Sequence, residues 1–294
     1  MLDIIILDDA SPDGTAEIIS AELVKYRDRV DLRFIRNNEN LGAFANVQKG
    51  LSLTEGDFII LFNGDDVMLP TMTEQMTKVW LEHDLSLVTA NARYIDENGE
   101  ELDRFFRNPT ESYDDSFETL ARHCGNAVCF GATMGFERSL YDKFGWPPEY
   151  LGASDVMLPF YAYLSKGARF IPEPLLKYRV TGQNGSMTLQ YERSTNPVDK
   201  LLVWAEDRYL HLAHALRMIS EIERLAQSDP ARYGDVEQQI RPMLNALVHE
   251  RARQMVEAGI QLHDMGVPAY RLRAEISAAY VESATTPLVL NGAD

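Results

Sequence analysis

The sequence predicts an α/β fold, a mostly parallel sheet sandwiched by helices, followed by a helical C-terminal region. Three observations carry that expectation. Short, continuous apolar runs at Asp3–Asp8 (DIIILD), Leu32–Ile35, Phe58–Phe62 and Leu85–Tyr94 read as strands covered on both faces. Helical patterns separate these runs, and strands joined by helices run parallel through right-handed crossovers. After Pro197 the strand pattern stops and apolar residues recur at helical spacing.

Taken in order, Ser11-Pro12-Asp13 is a helix start, with Ser11 as N-cap and Pro12 at the first helical position, and Ile18, Ile19 and Leu23 turned inward. The second strand, Leu32–Ile35, leads through the loop Asn37–Asn40 into a helix over Ala43–Leu53. Gly56–Phe62 is the third strand, Pro70–His83 a helix and Leu85–Tyr94 the fourth strand, closed by the turn residues Asp96-Glu97-Asn98-Gly99. Asn108–Ser194 is less regular and richer in Gly and Pro; it holds a helix over Asp155–Lys166 and a strand over Ala168–Ile171. Long segments of this kind inside a compact domain are often functional. In Asp199–Gln227, Leu202, Ala205, Tyr209, Leu212, Leu216 and Ile219 fall on one face, and Val236–Ile260 and Pro268–Glu282 continue in the same style. The expected division is a first domain over residues 1–195 and a helical region over 196–294. Such helices pack on the core or on a second copy, giving a homo-oligomer. A peripheral membrane contact is the lesser expectation, because the arginines are interspersed with acids.

Composition narrows the function classes. An apolar fraction of 45% and a charged fraction of 25% are those of a soluble globular protein. The formal net charge of -17 repels phosphate polymers and argues against nucleic-acid partners. Cys124 and Cys129 fit neither a disulfide scaffold nor a zinc pattern, so a reducing, cytoplasmic compartment is expected, with the inner face of the membrane within reach. No apolar stretch approaches a membrane span, and Met1–Asp9 lacks the basic start and long apolar core of a signal peptide.

The segment Gly56–Pro70 (GDFIILFNGDDVMLP) is the most informative. A buried strand ends in Asn63, Gly64, Asp65 and Asp66, and adjacent carboxylates at such a place are unfavourable without a counter-charge. Hard oxygen ligands on a turn suit Mg2+ or Mn2+, especially where a diphosphate completes the shell. A helix cap or a solvated turn explains the same acids without a metal. In open α/β sheets ligands bind at the carboxyl ends of strands, where Asp8-Asp9 and Asp65-Asp66 both lie.

Several segments in order resemble the family 2 glycosyltransferases. They are ILDDASPDGTAEII (Ile6–Ile19), NENLGAFANVQKGL (Asn38–Leu51), GDFIILFNGDDVMLP, VTANARYIDENGEE (Val88–Glu101), FGATMGFERSLYDKFGWPPEYLGASDVMLPFYAYLSKG (Phe130–Gly167) and FIPEPLLKYRVTGQNGS (Phe170–Ser186). The resemblance covers roughly residues 3 to 190 and implies a GT-A fold and a nucleotide-diphosphate sugar donor. It assigns Asp9 to the nucleotide base, where a carboxylate accepts from a uracil or thymine N–H, so a UDP- or dTDP-sugar is expected. Asp65 matches the final acid of the metal-holding DxD element, Asn63 stands at its first position without a charge, and Asp66 supports the metal site from beside it. Asp155 matches the general base, with Ser154 in place of the usual preceding acid; losing that like charge should lower the pKa of Asp155. Arg179 and the loop Thr181–Ser186 match the segment that closes over the donor, with Arg179 facing phosphate or an ordinary ion pair. The implied reaction is a single inverting displacement onto a hydroxyl of a saccharide or lipid-linked acceptor, in surface polysaccharide or glycolipid synthesis, aided by a divalent cation.

The family pattern normally opens with a further strand, loop and helix before the position of Asp3–Asp8, so Met1 is expected to be an internal methionine of a longer protein. A non-catalytic nucleotide-sugar-binding or scaffold protein is the alternative function. A nucleotidyltransferase would want a basic, Gly-rich loop where Asp9–Gly14 supplies acids. Neither the sugar nor the acceptor is legible, although side chains in Asn91–Arg107 and Phe130–Gly135 are expected to line the donor pocket.

Overall fold

The computed structural model describes residues 2–26, 31–108, 116–123, 129–147, 154–181 and 187–267. Cys124, residues 182–186 of the expected donor loop and the expected helix over 268–282 lie outside the described residues. The chain falls into two compact units, residues 1–59 with 137–146, and residues 60–136 with 147–294.

In the first unit β1 (Asp3–Asp8) pairs in parallel with β2 (Asp31–Arg36), linked by α1 (Thr15–Leu23). The helix begins later than Ser11-Pro12 predicts. Asp13, not Ser11, turns its carboxylate on the entering chain, accepting the Thr15 N–H at 3.0 Å and the Thr15 hydroxyl at 2.6 Å. That shift rotates the helix, and Ile18, expected inside, is 67% exposed. α2 (Ala43–Leu53) lies where expected. Gly42 enters it at φ 81°, a left-handed conformation that favours glycine. β3 (Phe58–Ile60) follows, shorter than the apolar run, and Phe62 beyond it is exposed. A short helix over Arg138–Phe144 belongs to this unit too. The Arg138 Nε donates to the Gly56 carbonyl at 3.2 Å and its guanidinium reaches Thr54, satisfying carbonyls past the end of α2.

The second unit is built on β5 (Leu87–Ile95), whose residues are almost all buried. β5 runs parallel to β8 (Ala168–Arg179), while the shorter strands β4 (Val67–Met68), β6 (Glu101–Phe105) and β7 (Gly135–Glu137) add to the pair antiparallel. α3 (Met72–His83) leads into β5, with Met72 and Met76 fully buried. With the Arg138–Phe144 helix counted as α5, α4 (Phe117–His123) sets Phe117 against Phe160 of α6 (Ser154–Tyr163) at 5.6 Å. α6 is apolar all round, buried from Val156 to Ala162, as a helix inside a core should be.

β8 extends eight residues past the expected end at Ile171, through Pro172 and Pro174. Prolines cannot donate to a ladder, and the register with β5 slips on both sides of Asn91. Side chains fill the resulting gaps. The Asn91 amide donates to the carbonyls of Arg107 at 2.8 Å and Pro172 at 3.0 Å, and its oxygen accepts the Arg107 N–H at 3.0 Å. On the other edge the Thr133 hydroxyl donates to the Ala90 carbonyl at 2.7 Å and lies 3.1 Å from the Ala90 N–H. Asn91 is therefore a buried substitute for missing backbone partners.

α7 (Met187–Arg193), α8 (Pro197–Ser228) and α9 (Pro230–Asp264) complete the unit. Asn196 caps α8 by accepting the Val198 N–H at 2.8 Å, and Asp229 caps α9 by accepting the Arg232 N–H at 3.2 Å. The buried stripe of α8 passes from Leu202, Ala205 and Tyr209 to His214, Met218, Glu221 and Ile222. Leu216, expected inside, is half exposed, because two polar residues take the inward positions. Among the described residues no helix is long and apolar enough to cross a membrane.

Replacing Asn91 by Leu keeps the branching of the side chain but strands two carbonyls and two N–H groups. We expect Asn91→Leu to lower the unfolding free energy by about 3 kcal/mol or more. Urea denaturation checks it, and an unchanged midpoint would show that the side chain is dispensable.

Candidate active site

The turn that follows β3 in sequence puts its two acids in different surroundings. Asp66 is 7% exposed and its Oδ1 accepts the backbone N–H of Arg179 at 2.9 Å. Burial pushes its carboxyl up to about 6 and the neighbouring Asp65 adds to the rise, against hydrogen bonds from Arg179 and Asn63. Asp65 is exposed, and its carboxylate accepts no hydrogen bond from the described residues. Asn63 is exposed as well, and its carbonyl faces the Asp66 N–H at 3.4 Å.

Arg179 closes this turn against a second one. Its Nε donates to the Asp65 carbonyl at 2.8 Å, and its Nη1 donates to the carbonyls of Glu97 at 3.0 Å and Asp96 at 3.2 Å. The guanidinium that the sequence offers to phosphate is thus a strut between the turn Asn63–Asp66 and the turn after β5. Asp96 holds that second turn by accepting the N–H groups of Glu100 and Asn98, each at 2.9 Å, which keeps its carboxyl below the ordinary range.

Asp155 stands in the first turn of α6, half-buried. Its Oδ2 lies 3.5 Å from the position a Cβ would take on Gly131, an ordinary contact distance that puts this residue beside the carboxylate. Among the described residues no cation forms an ion pair with it. Its surroundings push the carboxyl up to about 6 by desolvation, with only its own backbone N–H opposing. Ser154, in place of an acid, adds no like charge to this rise.

An aromatic path joins the two acidic positions within this unit. Phe130, the neighbour of Gly131, meets Tyr178, the neighbour of Arg179, edge-on with centroids 5.1 Å apart, and stacks on Phe106 at 4.3 Å. The structure therefore brings Asp65, Asp66 and Arg179 to the end of the β5–β8 pair where both strands finish, while Asp155 lies beside Gly131, whose segment is bonded to the middle of β5. Gly131 and the Asp96–Glu97 turn belong to this arrangement too. The motif around Phe130–Gly135 hints at the first, whereas the second reads only as turn chemistry.

Asp9 belongs to the first unit. Its Oδ1 accepts the Asn37 amide at 2.7 Å and the Leu41 N–H at 2.9 Å, and its Oδ2 accepts the Gly42 N–H at 2.9 Å. The Leu41 and Asn37 bonds hold its carboxyl below the usual value. Asn37, missed by the sequence reading, is the hub, since it also donates to Asn46 at 2.9 Å and accepts Lys49 at 2.7 Å. The next residue after Asp9, Ala10, has φ 59°, a left-handed conformation rare outside glycine and common at ligand sites.

As for a cation, no three His, Cys, Asp or Glu side chains converge among the described residues. A hard cation here would depend on Asp65, the one exposed carboxylate of the turn, with ligand oxygens completing the shell. The donor set fits that use, since the Asp65 carboxylate is not committed elsewhere among the described residues.

Comparisons with known proteins agree with this architecture. The sequence profile described as Glycosyl transferase family 2 matches residues 2–145. An uncharacterised glycosyltransferase of Nostoc sp. is 26% identical over 192 residues, 64% of this chain and 58% of its own length. The chain thus spans under two thirds of that relative. Among solved structures, S. aureus TarS in complex with UDP-GlcNAc aligns with a TM-score of 0.50 at 15% identity, over 90% of this chain and 83% of that one. The mannosyltransferase PcManGT from Pyrobaculum calidifontis, in complex with GDP-Man and Mn2+, gives a TM-score of 0.50 at 15% identity, over 97% and 78%. At such identities the structural likeness concerns the GT-A fold alone, while residues 2–145, just under half of the chain, match glycosyl transferase family 2.

Proposed function

We propose that this chain transfers a sugar from a nucleotide-diphosphate donor to an acceptor hydroxyl, with inversion, and that Asp155 is the general base. The observation that carries the reading is the environment of Asp155. It is a half-buried carboxylate with no ion-pair partner among the described residues, raised to about 6 and set beside Gly131. A base poised near working pH takes a proton most effectively, and help of this kind is worth about 10²–10⁴ in rate. The proton moves from the acceptor hydroxyl to an Asp155 oxygen as the hydroxyl oxygen bonds the anomeric carbon. The bond from that carbon to the diphosphate breaks, and the nucleotide leaves as its diphosphate.

Asp65 is the residue we assign to a divalent cation, Mn2+ or Mg2+, which when bound neutralises charge developing on the leaving diphosphate. Asp66 supports Asp65 from below by fixing Arg179. Arg179 in turn holds the rim by its carbonyl bonds, and a phosphate reaching it would compete with them. We assign the nucleotide to the end of β1, with Asp9 holding the Asn37–Gly42 loop and sharing its lone pairs with a uracil or thymine N–H. The donor class is therefore a UDP- or dTDP-sugar, and the acceptor a saccharide or lipid-linked hydroxyl in surface polysaccharide or glycolipid synthesis. We place the reaction in the cytoplasm, at the inner face of the membrane.

A panel of nucleotide sugars incubated with Mn2+ and assayed for released nucleoside diphosphate tests the activity without knowledge of the acceptor. Loss of all turnover with retained donor binding would favour the non-catalytic alternative. Asp155→Asn is expected to lower kcat by about 10²–10⁴ with donor affinity nearly unchanged. In the wild type kcat should fall as pH drops through about 6, because Asp155 is then protonated and cannot accept. Near-normal turnover by the variant would remove Asp155 from the role. Asp65→Ala should abolish the Mn2+-dependent part of donor affinity, read by calorimetry with and without chelator, and equal wild-type affinities in both would refute the assignment.

A further inference from the structure

Glu221 lies on α8 and is 5% exposed. A carboxylate taken out of water costs several kcal/mol and persists only when paired and hydrogen-bonded. Two arginines of the same helix pair with it, Arg224 through Nη2 at 2.6 Å and Arg217 at 3.8 Å. Across the interface stands Tyr161 of α6, buried, with Arg217, Glu221 and Arg224 near enough to act on its hydroxyl. Burial pushes the Tyr161 hydroxyl up to about 12 and Glu221 adds to the rise, so it stays neutral beside the acid. Tyr233 of α9, also buried, faces Arg224 and completes the enclosure.

This network sets polar and charged groups where α6 meets α8. Apolar packing is non-directional and tolerates small rotations, whereas a buried hydrogen bond fixes one register. Tyr161 follows Asp155 by six residues, about 9 Å along the axis. Pro159 lies between them inside α6. It has no N–H, so the Asp155 carbonyl lacks its helical donor and the first turn is not secured by its own ladder. Asp155 meanwhile sits 3.5 Å from a Cβ position on Gly131, a clearance in which a small rotation of α6 changes the approach to the carboxylate.

We propose that Tyr161, Arg217 and Glu221 are positioning residues that set the register of α6 and thereby the placement of Asp155, which makes α8 part of the catalytic apparatus. The functional half of this statement rests on Asp155 being the base; the geometric half does not. Tyr161→Phe is the informative change, because it keeps the ring and deletes one hydroxyl. With the protein alone, the titration of the Asp155 carboxyl is followed by carbon NMR, assigned by its absence in Asp155→Asn. Loss of the network admits water to the first turn, so the midpoint should move from about 6 toward the ordinary carboxylate value by about half a unit or more. With the nucleotide sugar that the wild type hydrolyses, kcat should fall about tenfold while KM for the donor holds. Glu221→Gln, which keeps hydrogen bonding and removes the charge, should move both readouts in the same direction. A folded Tyr161→Phe variant with the wild-type Asp155 midpoint and kcat would overturn the proposal. If Asp155→Asn proves fully active, the base assignment fails, and the NMR midpoint of Tyr161→Phe still decides whether the network sets the register.

Discussion

Strand β5 lacks a continuous neighbour on either edge, and the need to satisfy its buried backbone organises the second unit. On one side β7 covers only Leu87 and Val88, and β6 covers Arg93 and Ile95. On the other the prolines of β8 break the register around Asn91. Unsatisfied amides in a core cost about as much as several methylene contacts gain, so each gap needs a partner. Thr133 fills the first gap and Asn91 the second. Because Thr133 is pinned to Ala90, the short helical turn Gly131–Thr133 is fixed, and with it the glycine that faces Asp155. The register beyond the bulge then decides that Tyr178 and Arg179 stand beside Tyr94 and Ile95.

The acids of the candidate site divide by what they already hold. Asp9 and Asp66 spend their oxygens on backbone N–H groups and so shape loops. Asp65 and Asp155 accept little from the described residues around them, which is why our proposal gives their lone pairs to ligands. Two carboxyls pushed up to about 6, Asp66 and Asp155, arrive there for the same reason, burial, but only one faces a reacting group in our reading. A raised value alone therefore does not identify a base.

Much of this is legible in the chain. Alternating apolar runs and helical stretches dictate the α/β order, and α2 reads correctly to the residue, because continuous apolar strands and amphipathic helices have different periods. The ordered motifs locate Asp155 and the Asp65–Asp66 turn. What escapes involves partners distant in sequence. Pro172 and Pro174 argue for the end of a strand, and only the side chain of Asn91 explains why β8 continues. Ile18 reads as core until Asp13 resets the start of α1. On α8, His214 and Glu221 take inward positions that apolar spacing assigns to Leu212 and Leu216, since a buried acid is unreadable until its arginines are found beside it. Arg179 looks like a phosphate ligand for the same reason: the carbonyls it joins belong to turns far away along the chain.

That last contact has a consequence for how the protein comes into being. The bonds from Arg179 to Asp66 and Asp65 close loops of 113 and 114 residues. Contacts of such separation form late, after nearer ones have shortened the loop they must close. During synthesis the acidic turn leaves the ribosome roughly 6 to 23 seconds before its strut, at about 5–20 residues per second. For that interval the Asp66 carboxylate lacks the Arg179 N–H and the Asp65 carbonyl lacks the guanidinium, and the strand that should flank β5 does not yet exist. The rim of the site is thus assembled from its most distant parts last, and a nascent chain stopped before β8 would carry the motif without the site.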